Sequence, residues 1–513
     1  MTSSPPAGDV ADGAHASDLP EQQRVRRAKR AHMYETGADP YPASVPRTHS
    51  LSEVRDTYDP AELGPDVRTG DEVAVTGRAI FVRDTGQLVF VRLRSGDAEL
   101  QCMVSRAGVG SESLAAFKAL VDIGDHLSVA GEVVTSRRGE LSVQASSWSM
   151  AAKTLRPLPV EHKPLSEETR ARMRYADLIV RPAAREMVLT RAAVLRAVRR
   201  VLDERGFVEV ETPVLQYVHG GAAARPFRTH LQAFDQDMTL RIALELYLKR
   251  CVVGGIERVY EIGRTFRNEG LDSTHSPEFT MLEAYQAYGD HSTMATLTRD
   301  LVVAAARETG HTVVPDGHGG EIDLDTEWQT LSLLDAVSAA VGTEITVETS
   351  ADALRTVAER TGVELRPDWG ADEIVVELYE QLVERTLLVP TFVTDYPASV
   401  RPLARSHRSK PGLAESWDLV IGGVELTTAY TELTDPVVQR DRLLEQASLA
   451  AQGDSHAMQL DEDFLRALEF GLPPTGGMGL GIDRLIRLLT GAGLREAILF
   501  PLVRPEAGAA TLS

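Results

Sequence analysis

Short runs in which β-branched or apolar residues alternate with polar ones fill residues 66–150, and they limit what this part of the chain can fold into. Alternation with a period of two is typical of strands that bury one face. Turn signals such as Asp84–Gly86 separate the five runs, which read VAVTGRAIFV, QLVFVRL, AELQCMV, HLSVAGEVV and ELSVQAS. Five strands over so short a stretch predict a small β-barrel. The OB type, a common binder of single-stranded nucleic acid, is one of several possible types.

A second, larger domain is predicted after a proline-containing linker, from residue 165 to residue 513. It begins with an amphipathic helix over residues 186–205, because apolar residues recur at helical spacing: Val188, Ala192, Leu195, Val198 and Leu202. Gly206 ends this helix, and Phe207–Glu211 alternates like a strand. Further helices are predicted near residues 291–308 and 371–387, so the domain is expected to be α+β.

The chain before the barrel is expected to contribute little to a core. Residues 1–20 are rich in Pro, Gly, Ala and Ser and are predicted to be a disordered tail. Residues 21–65 are predicted to form a short basic helix, stopped at Gly37, and a linker. The barrel domain is therefore assigned to residues 66–155.

Composition argues against several classes of protein. Apolar residues make up 43% of the chain and charged residues 25%, and no apolar run approaches the ~20 residues of a membrane helix. The N-terminus has no basic start followed by an apolar stretch, as a secretory signal would. The two cysteines, Cys102 and Cys251, form no CxxC pair, which argues against a disulfide framework and a cysteine zinc site. We therefore expect a cytoplasmic protein with no membrane partner.

The formal net charge of −21 argues against a nucleic-acid partner if it is taken alone. Only the contacting face of a protein has to be basic, however, and the stretch RVRRAKR, residues 24–30, carries five basic side chains. It is either a solvated helix face or an electrostatic contact for phosphates.

The stretch RVYEIGRTFRNEGLDSTHSPEFTMLEAYQAY, residues 258–288, concentrates charged groups between two β-like runs. It predicts a hairpin in which Arg267 and Glu269, two residues apart in one strand, point the same way. An arginine suits a phosphate or a carboxylate because it can donate two parallel hydrogen bonds. An exposed ladder of ion pairs is the alternative that these residues alone leave open.

Glycines crowd the stretch PPTGGMGLGIDRLIRLLTG, residues 473–491, before an apolar helix that Asp483 and Arg484 open. A glycine-rich turn before a helix often binds phosphate, and its backbone can approach a ligand closely. The stretch is not a P-loop, because the Lys-Ser/Thr ending is missing, and its glycine spacing is not that of a dinucleotide fingerprint.

Glu425 and Glu432 stand seven residues apart in the β-rich stretch GGVELTTAYTELTDP, residues 422–436. An odd spacing puts them on opposite faces of a straight strand, so a turn or bulge must intervene if they share a site. Paired carboxylates would suit Mg²⁺ that carries a nucleotide's phosphates. Two separate surface glutamates are the alternative.

Together these stretches resemble the three ordered motifs of class II aminoacyl-tRNA synthetases. GFVEVETPVL, with Pro213, resembles motif 1; FRNEG and HSPEFT resemble motif 2; GMGLGIDR resembles motif 3. Within this class, further strings over residues 21–505 resemble the bacterial-type lysine–tRNA ligases: GADPYP, RYADLIV, GGAAARPF, RIALELYLKR, VGGIERVYEIGR, PTFVTDYP and ELTDP.

The resemblance implies an N-terminal OB anticodon-binding domain followed by a catalytic domain on an antiparallel sheet with flanking helices. It also implies a homodimer with motif 1 at the interface. In the implied reaction, the carboxylate of L-lysine attacks the α-phosphorus of ATP, and the lysyl group of the adenylate passes to the 3′-terminal adenosine of tRNA(Lys).

The resemblance further implies a role for each site residue. Arg267 would bridge the α-phosphate and the substrate carboxylate, and Arg484 would hold the γ-phosphate end, as the catalytic pair. The other implied ATP contacts are Glu269 at the adenine amino group, Phe279 stacked on the base, His275 near the outer phosphates, and Glu425. The implied Mg²⁺ ligands are Glu425 and Glu432. The implied lysine contacts are Glu245, Arg267, Glu283, Tyr285 and Glu432.

For tRNA, the resemblance implies an anticodon contact on the barrel. Phe90 would stack on a base, Gln101 and Glu140 would read base edges, and Arg78 would lie near the backbone. A position in the barrel core is the alternative for Phe90. The basic RVRRAKR helix becomes a candidate for a further tRNA contact.

Leu244 stands where the family usually has proline, and Thr428 where many members have asparagine. Both adjoin the predicted pocket, which leaves open a specialised paralogue that transfers lysine or an analogue to another acceptor. The anticodon residues favour tRNA as the acceptor. A catalytically silent RNA-binding protein would not need the arginine pair. An aspartate ligase would need cations where this chain has acids, and the acidic pocket disfavours asparagine as well.

Overall fold

The computed structural model describes residues 19–159, 165–272, 275–317, 319–451 and 458–504. The tail predicted to be disordered, residues 1–20, lies outside these residues except for its last two. The chain divides into two compact units. The first comprises Met1–Ser166 and Tyr175–Pro182, and the second comprises Glu167–Arg174 and Ala183–Ser513.

A closed barrel of five strands forms the centre of the first unit, which confirms the predicted five-stranded OB-type barrel. Its strands are β1 Arg68–Asp84, β2 Leu88–Ser95, β3 Ala98–Ser105, β4 His126–Thr135 and β5 Leu141–Ala152. They pair in the order β1-β2-β3-β5-β4, with β4 returning to β1. The β3–β5 pairing is parallel and the others are antiparallel. The accompanying helices are α1 Glu21–Glu35, α2 Leu51–Thr57, α3 Pro60–Leu63, α4 Arg106–Val109 and α5 Ser111–Leu120.

Alternate residues of the barrel strands enter a shared core. On β2, Val89, Val91 and Leu93 are buried, whereas Phe90 and Arg92 lie on the outer surface between them. Because side chains of a strand alternate between its two faces, the core alternative for Phe90 is wrong.

The second unit is α+β, as predicted, and contains an eight-stranded sheet. The strands of the unit are β6 Val208–Glu209, β7 Leu215–Gln216, β8 Arg228–Leu231, β9 Gln236–Leu240, β10 Arg258–Phe266, β11 Glu278–Ala287, β12 Val313–Pro315, β13 Glu321–Asp323, β14 Gln329–Ser332, β15 Thr391–Thr394, β16 Ser416–Ile421, β17 Val424–Thr431 and β18 Thr475–Gly481. The large sheet has the order β14-β15-β16-β17-β18-β11-β10-β6. Its β6–β10 and β14–β15 pairings are parallel and the others antiparallel, which confirms the antiparallel-rich sheet implied by the resemblance.

The remaining helices are α6 Glu167–Arg172, α7 Arg174–Val180, α8 Pro182–Glu204, α9 Glu245–Val253, α10 His291–Thr309, α11 Leu333–Val341, α12 Ala351–Thr361, α13 Ala371–Leu382, α14 Pro436–Ala451, α15 Glu462–Glu469, α16 Ile482–Thr490 and α17 Leu494–Ala497. Helices α8, α10 and α13 confirm the three helices predicted for this domain. Within the described ranges, no helix combines the length and apolarity that crossing a membrane requires.

Helix α8 packs on the sheet through the apolar face predicted from its spacing. Its buried residues Val198 and Leu202 share a core with Tyr260 of β10 and Leu282 of β11. At Gly206, where φ is +73°, the chain turns from the helix into β6, which pairs with β10. A left-handed residue at this position favours glycine, which has no Cβ to clash with the backbone. The helix and strand of the predicted motif 1 therefore meet the two strands that carry motif 2.

Candidate active site

The wall of a cavity follows from the side-chain alternation of β11. Phe279, Met281, Glu283 and Tyr285 are alternate residues and line the cavity, whereas Leu282 enters the core on the opposite face. The face of β11 that lines the cavity therefore carries two polar groups, the carboxylate of Glu283 and the phenol of Tyr285.

The glycine stretch forms a strand, β18, in the middle of the sheet, so the predicted glycine-rich turn is wrong. β18 pairs with β11 on one side and β17 on the other. A Cβ on Gly477 would lie well inside 3.0 Å of Glu432 Oε1 and of the Tyr285 ring, a separation that real Cβ atoms essentially never show. These glycines give β18 a bare face, which leaves room for side chains from neighbouring elements.

All ten residues that the sequence assigned to ATP, lysine and metal line this one cavity, whose volume is about 300 Å³. They come from β11, β17, the start of α9, the start of α16 and the chain that follows β10 and β17. The ten are Glu245, Arg267, Glu269, His275, Phe279, Glu283, Tyr285, Glu425, Glu432 and Arg484. Both predicted catalytic arginines thus face the same space, which is within the size range of ligand pockets.

Arg267 follows the last residue of β10 and lies against an aromatic wall. Its guanidinium carbon is 5.2 Å from the centroid of the Phe279 ring, and Nε donates to the carbonyl of Ile242 at 3.3 Å. Burial lowers the pKa of Arg267, although an arginine stays protonated in proteins. A half-buried cation of this kind interacts more strongly with an anion than an exposed one would.

The prediction that Arg267 and Glu269 share one strand is wrong, because β10 ends at Phe266. The backbone N–H of Arg267 still donates to the carbonyl of Pro277 at 2.9 Å, which extends the hairpin by one bond. Glu269 is exposed, and so is His275, whose Nδ1 lies 2.9 Å from a carboxylate oxygen of Asp272. These two line the cavity from a loop and not from the sheet.

Arg484 projects from the first turn of α16 towards β17. Its Nη1 donates to the backbone carbonyl of Glu425 at 2.6 Å and lies 3.1 Å from the Glu425 carboxylate. The neighbouring Asp483 is buried, accepts from the backbone N–H of Thr280 at 2.8 Å and pairs with Arg191 at 2.5 Å. Asp483 therefore fastens α16 to β11 and α8, and this anchoring holds Arg484 at the cavity.

Three carboxylates form an acidic slot, which we define as Glu245, Glu283 and Glu432 with the phenol of Tyr285. The relative exposures are 5%, 5% and 1% for the three acids, so all are buried. Glu283 accepts hydrogen bonds from the backbone N–H of Leu244 at 2.9 Å and from the Tyr285 hydroxyl at 3.1 Å. Buried carboxylates are expensive unless a cation accompanies them, so the slot is suited to a cationic group.

Burial, together with the negative charge of Glu245, raises the pKa of Glu283 to about 7. The hydrogen bonds from Leu244 and Tyr285 stabilise the ionised form and oppose this rise. Burial also raises the pKa of the Tyr285 phenol well above its ordinary range, so Tyr285 stays protonated and can donate. Leu244 stands where the family usually has proline, which has no N–H to give.

Lys249 is a residue of the slot that the sequence reasoning missed. It lies on α9 one turn after Glu245, with Nζ 2.6 Å from Glu245 Oε1 and 2.5 Å from Glu432 Oε2. The four-residue spacing of a glutamate and a lysine on one helix was a signal for this contact. Arg401 also lines the cavity, and no sequence motif indicated it. Its guanidinium pairs with Asp418 and lies 4.1 Å from the centroid of the Tyr396 ring.

Glu425 fits the predicted role of a metal ligand. Its side chain is 44% exposed and lines the cavity beside Arg484. Burial, then the nearby charges of Glu425 and Asp418, raise the pKa of Glu384 to about 7. The excess of negative charge on this side of the cavity would be relieved by a bound cation.

Glu432 does not fit the predicted role of a second metal ligand. It is buried, and its Oε2 is already paired with Lys249. Among the described residues, no group of three or more His, Cys, Asp or Glu side chains is arranged to hold a metal ion. Mg²⁺ often takes only one or two protein carboxylates and obtains its other ligands from phosphates and water, which a single carboxylate at Glu425 allows.

β17 has the irregularity that the sequence required for Glu425 and Glu432 to share a site. The register between β16 and β17 shifts at Leu419 and Val420, so that Thr427 pairs with Leu419 and Glu425 with Val420. Glu432 itself lies one residue beyond the end of β17. A bulge and a strand end therefore bring two glutamates at an odd spacing to one cavity.

Three of the four predicted anticodon residues share the outer face of the barrel. Gln101 lies opposite Arg92 in the β2–β3 pairing, and Glu140 Oε1 is 3.6 Å from Arg92 Nη2. Gln101, Glu140 and Arg92 line one shallow depression. Phe90 is the next outward residue along β2, and the Arg83 guanidinium lies 4.8 Å from its ring centroid. This surface combines an aromatic ring, cations and amide groups, as surfaces that bind single-stranded nucleic acid do.

Arg78 is separate from that depression. It is not among the described residues that line it, and its Nη1 donates to the backbone carbonyl of Gly124 at 2.9 Å. Burial lowers the pKa of Arg78. In the described structure, this hydrogen bond connects β1 to the loop before β4.

Helix α1 uses part of its basic stretch within the first unit. Arg26 is buried and donates to Thr154 Oγ1 at 2.6 Å and to the carbonyl of Ile123 at 2.8 Å, and Lys29 pairs with Asp122 at 2.7 Å. Arg24 remains exposed. Two charges of the basic stretch dock the helix on the barrel, so the stretch is not simply a solvated face, and a tRNA contact by its remaining charges stays a prediction.

Two family models match the chain. The model described as tRNA synthetases class II (D, K and N) matches residues 166–504. The model described as an OB-fold nucleic acid binding domain matches residues 62–151. The first match covers the cavity and the second covers the barrel.

Whole-length similarity points the same way. The chain is 57% identical over 492 residues to a lysine–tRNA ligase of Kineococcus radiotolerans, covering 95% of this chain and 98% of the relative. It is 54% identical over 499 residues to lysine–tRNA ligase 1 of Mycobacterium tuberculosis, with 96% and 98% covered. It is also 48% identical over 493 residues to the lysylphosphatidylglycerol biosynthesis bifunctional protein of Nocardia farcinica, of which 43% is covered.

Proposed function

Because this chain belongs to the class II lysine–tRNA ligases, we propose that its cavity joins L-lysine to AMP at the expense of ATP and then loads tRNA(Lys). One observation carries the assignment of the cavity to both substrates. A single space is lined by two arginines, which suit phosphates, and by three buried carboxylates, which suit an ammonium group.

The adenylation step needs positioning more than it needs a base. The lysine carboxylate is already ionised at neutral pH, and the pyrophosphate that leaves requires its charge to be dispersed. Arg267 would bridge the α-phosphate and the attacking carboxylate. Its positive charge would reduce the repulsion between these two anions as they approach each other. Arg484, fixed by the α16 anchor, would hold the γ-phosphate end.

The rest of the nucleotide would lie on the loop side of the cavity. Phe279 offers a ring for the adenine base, with Arg267 against it at 5.2 Å. Glu269 would accept from the adenine amino group, and His275 would lie near the outer phosphates. The exposure of both supports roles that need an approaching ligand.

Lysine selection would rest on the acidic slot. Glu245, Glu283 and Glu432 supply negative charge, and Tyr285 supplies a hydroxyl that already orients Glu283. The aspartate side chain would be repelled by these carboxylates, and the neutral asparagine amide would gain no ion pair from them. A site that hydrogen-bonds a charged group strongly rejects analogues that lack it.

Glu425 would hold Mg²⁺ together with the ATP phosphates, and Glu432 is reassigned to the lysine slot. The bound ion would screen phosphate charge and fix its geometry. The 3.1 Å ion pair between Glu425 and Arg484 supports this proposal, because it brings a carboxylate suited to a metal and a cation suited to phosphates together in the cavity wall.

The acceptor would be recognised by the barrel. Phe90 would stack on an anticodon base, while Gln101 and Glu140 would read base edges. Arg92, which the sequence did not indicate, lies on the same surface opposite Gln101. Arg78 would contribute by shaping the barrel next to the tRNA backbone. The same barrel favours tRNA over a lipid or small-molecule acceptor.

A homodimer in the cytoplasm is part of the proposal. The predicted motif 1 region exposes apolar side chains that a single chain leaves uncovered, including Leu189, Val208, Leu215 and Tyr217, each at least 45% exposed. Large apolar side chains left exposed in one region of the chain are what an interface between chains would cover. Sedimentation equilibrium should give twice the chain mass of 55.9 kDa, and a monomer at micromolar concentration would reject the dimer.

The decisive experiment measures amino-acid-dependent ATP–pyrophosphate exchange with each of the twenty amino acids, followed by charging of tRNA(Lys). We expect exchange with lysine and transfer to the tRNA. Exchange with another amino acid would reject the slot assignment. Lysine exchange without charging would favour the specialised paralogue that uses another acceptor.

A further inference from the structure

Lys249 contacts the acidic slot from inside the protein and has no role in the reaction as proposed above. Its side chain is 0% exposed, so it cannot touch solvent, and Nζ bridges Glu245 and Glu432 at 2.6 Å and 2.5 Å. The attraction of both carboxylates outweighs burial and raises the pKa of Lys249 above its ordinary range, so it remains a cation. The slot therefore contains a permanent ammonium group beside the place proposed for the substrate's ammonium.

We propose that Lys249 is a positioning residue whose charge bridges Glu245 and Glu432 and favours their ionised forms, and so limits the slot to one substrate ammonium group. The inference rests on the proposed lysine specificity of the slot. Lys249 does not touch the reacting atoms, and it acts through the two glutamates.

The count of charges supports this role. Three buried carboxylates without a counter-ion would repel one another, and removal of the partner of a buried charge is strongly destabilising. Lys249 occupies one oxygen of Glu245 and one of Glu432. Glu432 Oε1 is buried and has no hydrogen-bond partner among the described residues, and it borders the cavity. Lys249 therefore covers only one of the two oxygens of each glutamate.

Among the residues that the structure describes, no cation other than Lys249 is paired with these two glutamates, and Arg250 beside it is paired with Asp461 and Asp463. The groups that face the slot are Glu283 and Tyr285 from β11, Tyr430 from β17, and the ring of Phe464 from α15, 6.0 Å from Nζ. Among the described residues that line the cavity, the cations are the two proposed catalytic arginines, Arg401, which pairs with Asp418, and His275, which is paired with Asp272. Loss of Lys249 would therefore leave Glu245 and Glu432 to repel each other or to take up a proton, and a protonated carboxyl attracts an ammonium group poorly.

The test compares Lys249→Met with a matched control in the other unit. Lys153 is also 0% exposed in its side chain and bridges two carboxylates, Asp122 at 2.5 Å and Asp125 at 2.7 Å, but it belongs to the barrel unit. Both variants lose one buried lysine between two acids, so both are expected to lower the thermal midpoint. Only Lys249→Met should change amino-acid selection.

We expect Lys249→Met to raise the KM for lysine in the exchange assay by about tenfold or more, the effect of a loss of ~1.4 kcal/mol or more of binding. The KM for ATP should stay within about twofold, since the arginine side of the cavity is untouched. The preference for lysine over norleucine, which lacks the terminal ammonium group, should fall by about the same factor as lysine binding. Lys153→Met should leave all three quantities at the parent values.

The outcomes separate the inference from the proposed function. If the parent enzyme activates lysine but folded Lys249→Met keeps the parental KM and preference, or if kcat and both KM values change alike, the positioning role is rejected. If Lys249→Met does not fold, Lys249→Gln, whose amide can donate to both glutamates without charge, replaces it with the same expectation. Lys249→Arg keeps the positive charge and should therefore keep the preference for lysine over norleucine. If Lys249→Arg loses this preference while Lys249→Gln retains it, the charge of Lys249 is not what sets the preference. Failure of the parent to activate lysine would reject the proposed function instead.

Discussion

Replacement of Gly477 by alanine tests whether the bare face of β18 creates the lysine slot. The new Cβ would lie well inside 3.0 Å of Glu432 Oε1 and of the Tyr285 ring. Both neighbours are buried, so neither can move into solvent. Adding a carbon to a packed region costs about 1–3 kcal/mol. Because the strain falls on two groups of the slot, we expect the KM for lysine to rise about 5- to 150-fold, the same free energy expressed as affinity.

Gly479→Ala is the matched control two residues along the same strand. Its Cβ would meet the Met281 methyl at 3.2 Å and Glu283 Cγ at 3.7 Å, and the end of a methionine side chain can move. We expect a change of about threefold or less in the KM for lysine, since the strain is below ~0.7 kcal/mol. Both variants should be assayed by ATP–pyrophosphate exchange with lysine and ATP titrated separately, beside a thermal melt. A folded Gly477→Ala enzyme with the parental KM for lysine, or one whose KM for ATP rises equally, would refute the reasoning.

Three further predictions concern the arginine pair, the acidic slot and the barrel. Arg267→Ala should lower lysine-dependent ATP–pyrophosphate exchange by about a hundredfold or more, because it removes a group that binds developing charge. The thermal midpoint should stay unchanged. Near-normal exchange would show that Arg267 does not have the proposed role. The pKa of Glu283 is raised to about 7, so it is ionised above that pH and protonated below it, and the KM for lysine should rise as the pH falls from 8 to 6. Leu244→Pro removes the N–H that donates to Glu283, so the rise in the KM for lysine should begin at a higher pH in this variant. Leu244→Ala keeps the N–H and should leave the pH dependence unchanged. A KM for lysine that does not change with pH would contradict the assignment of Glu283 and the role of the N–H. Glu140→Ala should leave exchange intact and weaken tRNA charging, and equal loss in both assays would count against an anticodon contact.

Local pattern was enough to predict the elements that position the site. The alternation in residues 66–150 requires strands with one buried face, and the barrel has five. The helical spacing of Val198 and Leu202 requires a buried helix face, and α8 has one. The residues assigned to the cavity could be named from the resemblance to three motifs and to the strings typical of lysine–tRNA ligases, because each of these keeps its chemical groups at fixed spacing within one or two adjacent elements.

The contacts between distant segments were beyond local pattern. The glycine stretch was expected to form a turn, and only its pairing with β11 and β17 makes it the floor of the cavity. Arg26 was indistinguishable from its basic neighbours until the barrel placed Thr154 and Ile123 beside it. Glu432 was assigned to both Mg²⁺ and lysine, because the sequence does not reveal which cation a carboxylate meets, and only the structure places Lys249 against it.

The order of residues was enough to show which groups are available: two arginines, three acids and an aromatic residue on a barrel strand. Tertiary structure decided how these charges are paired. Glu245 and Lys249 are neighbours on one helix, but Glu432 joins them only because β17 ends beside α9. The reason is physical: the energy of a charge depends on its burial and on the charges within a few ångströms, and those distances are set when segments far apart in the chain pack together.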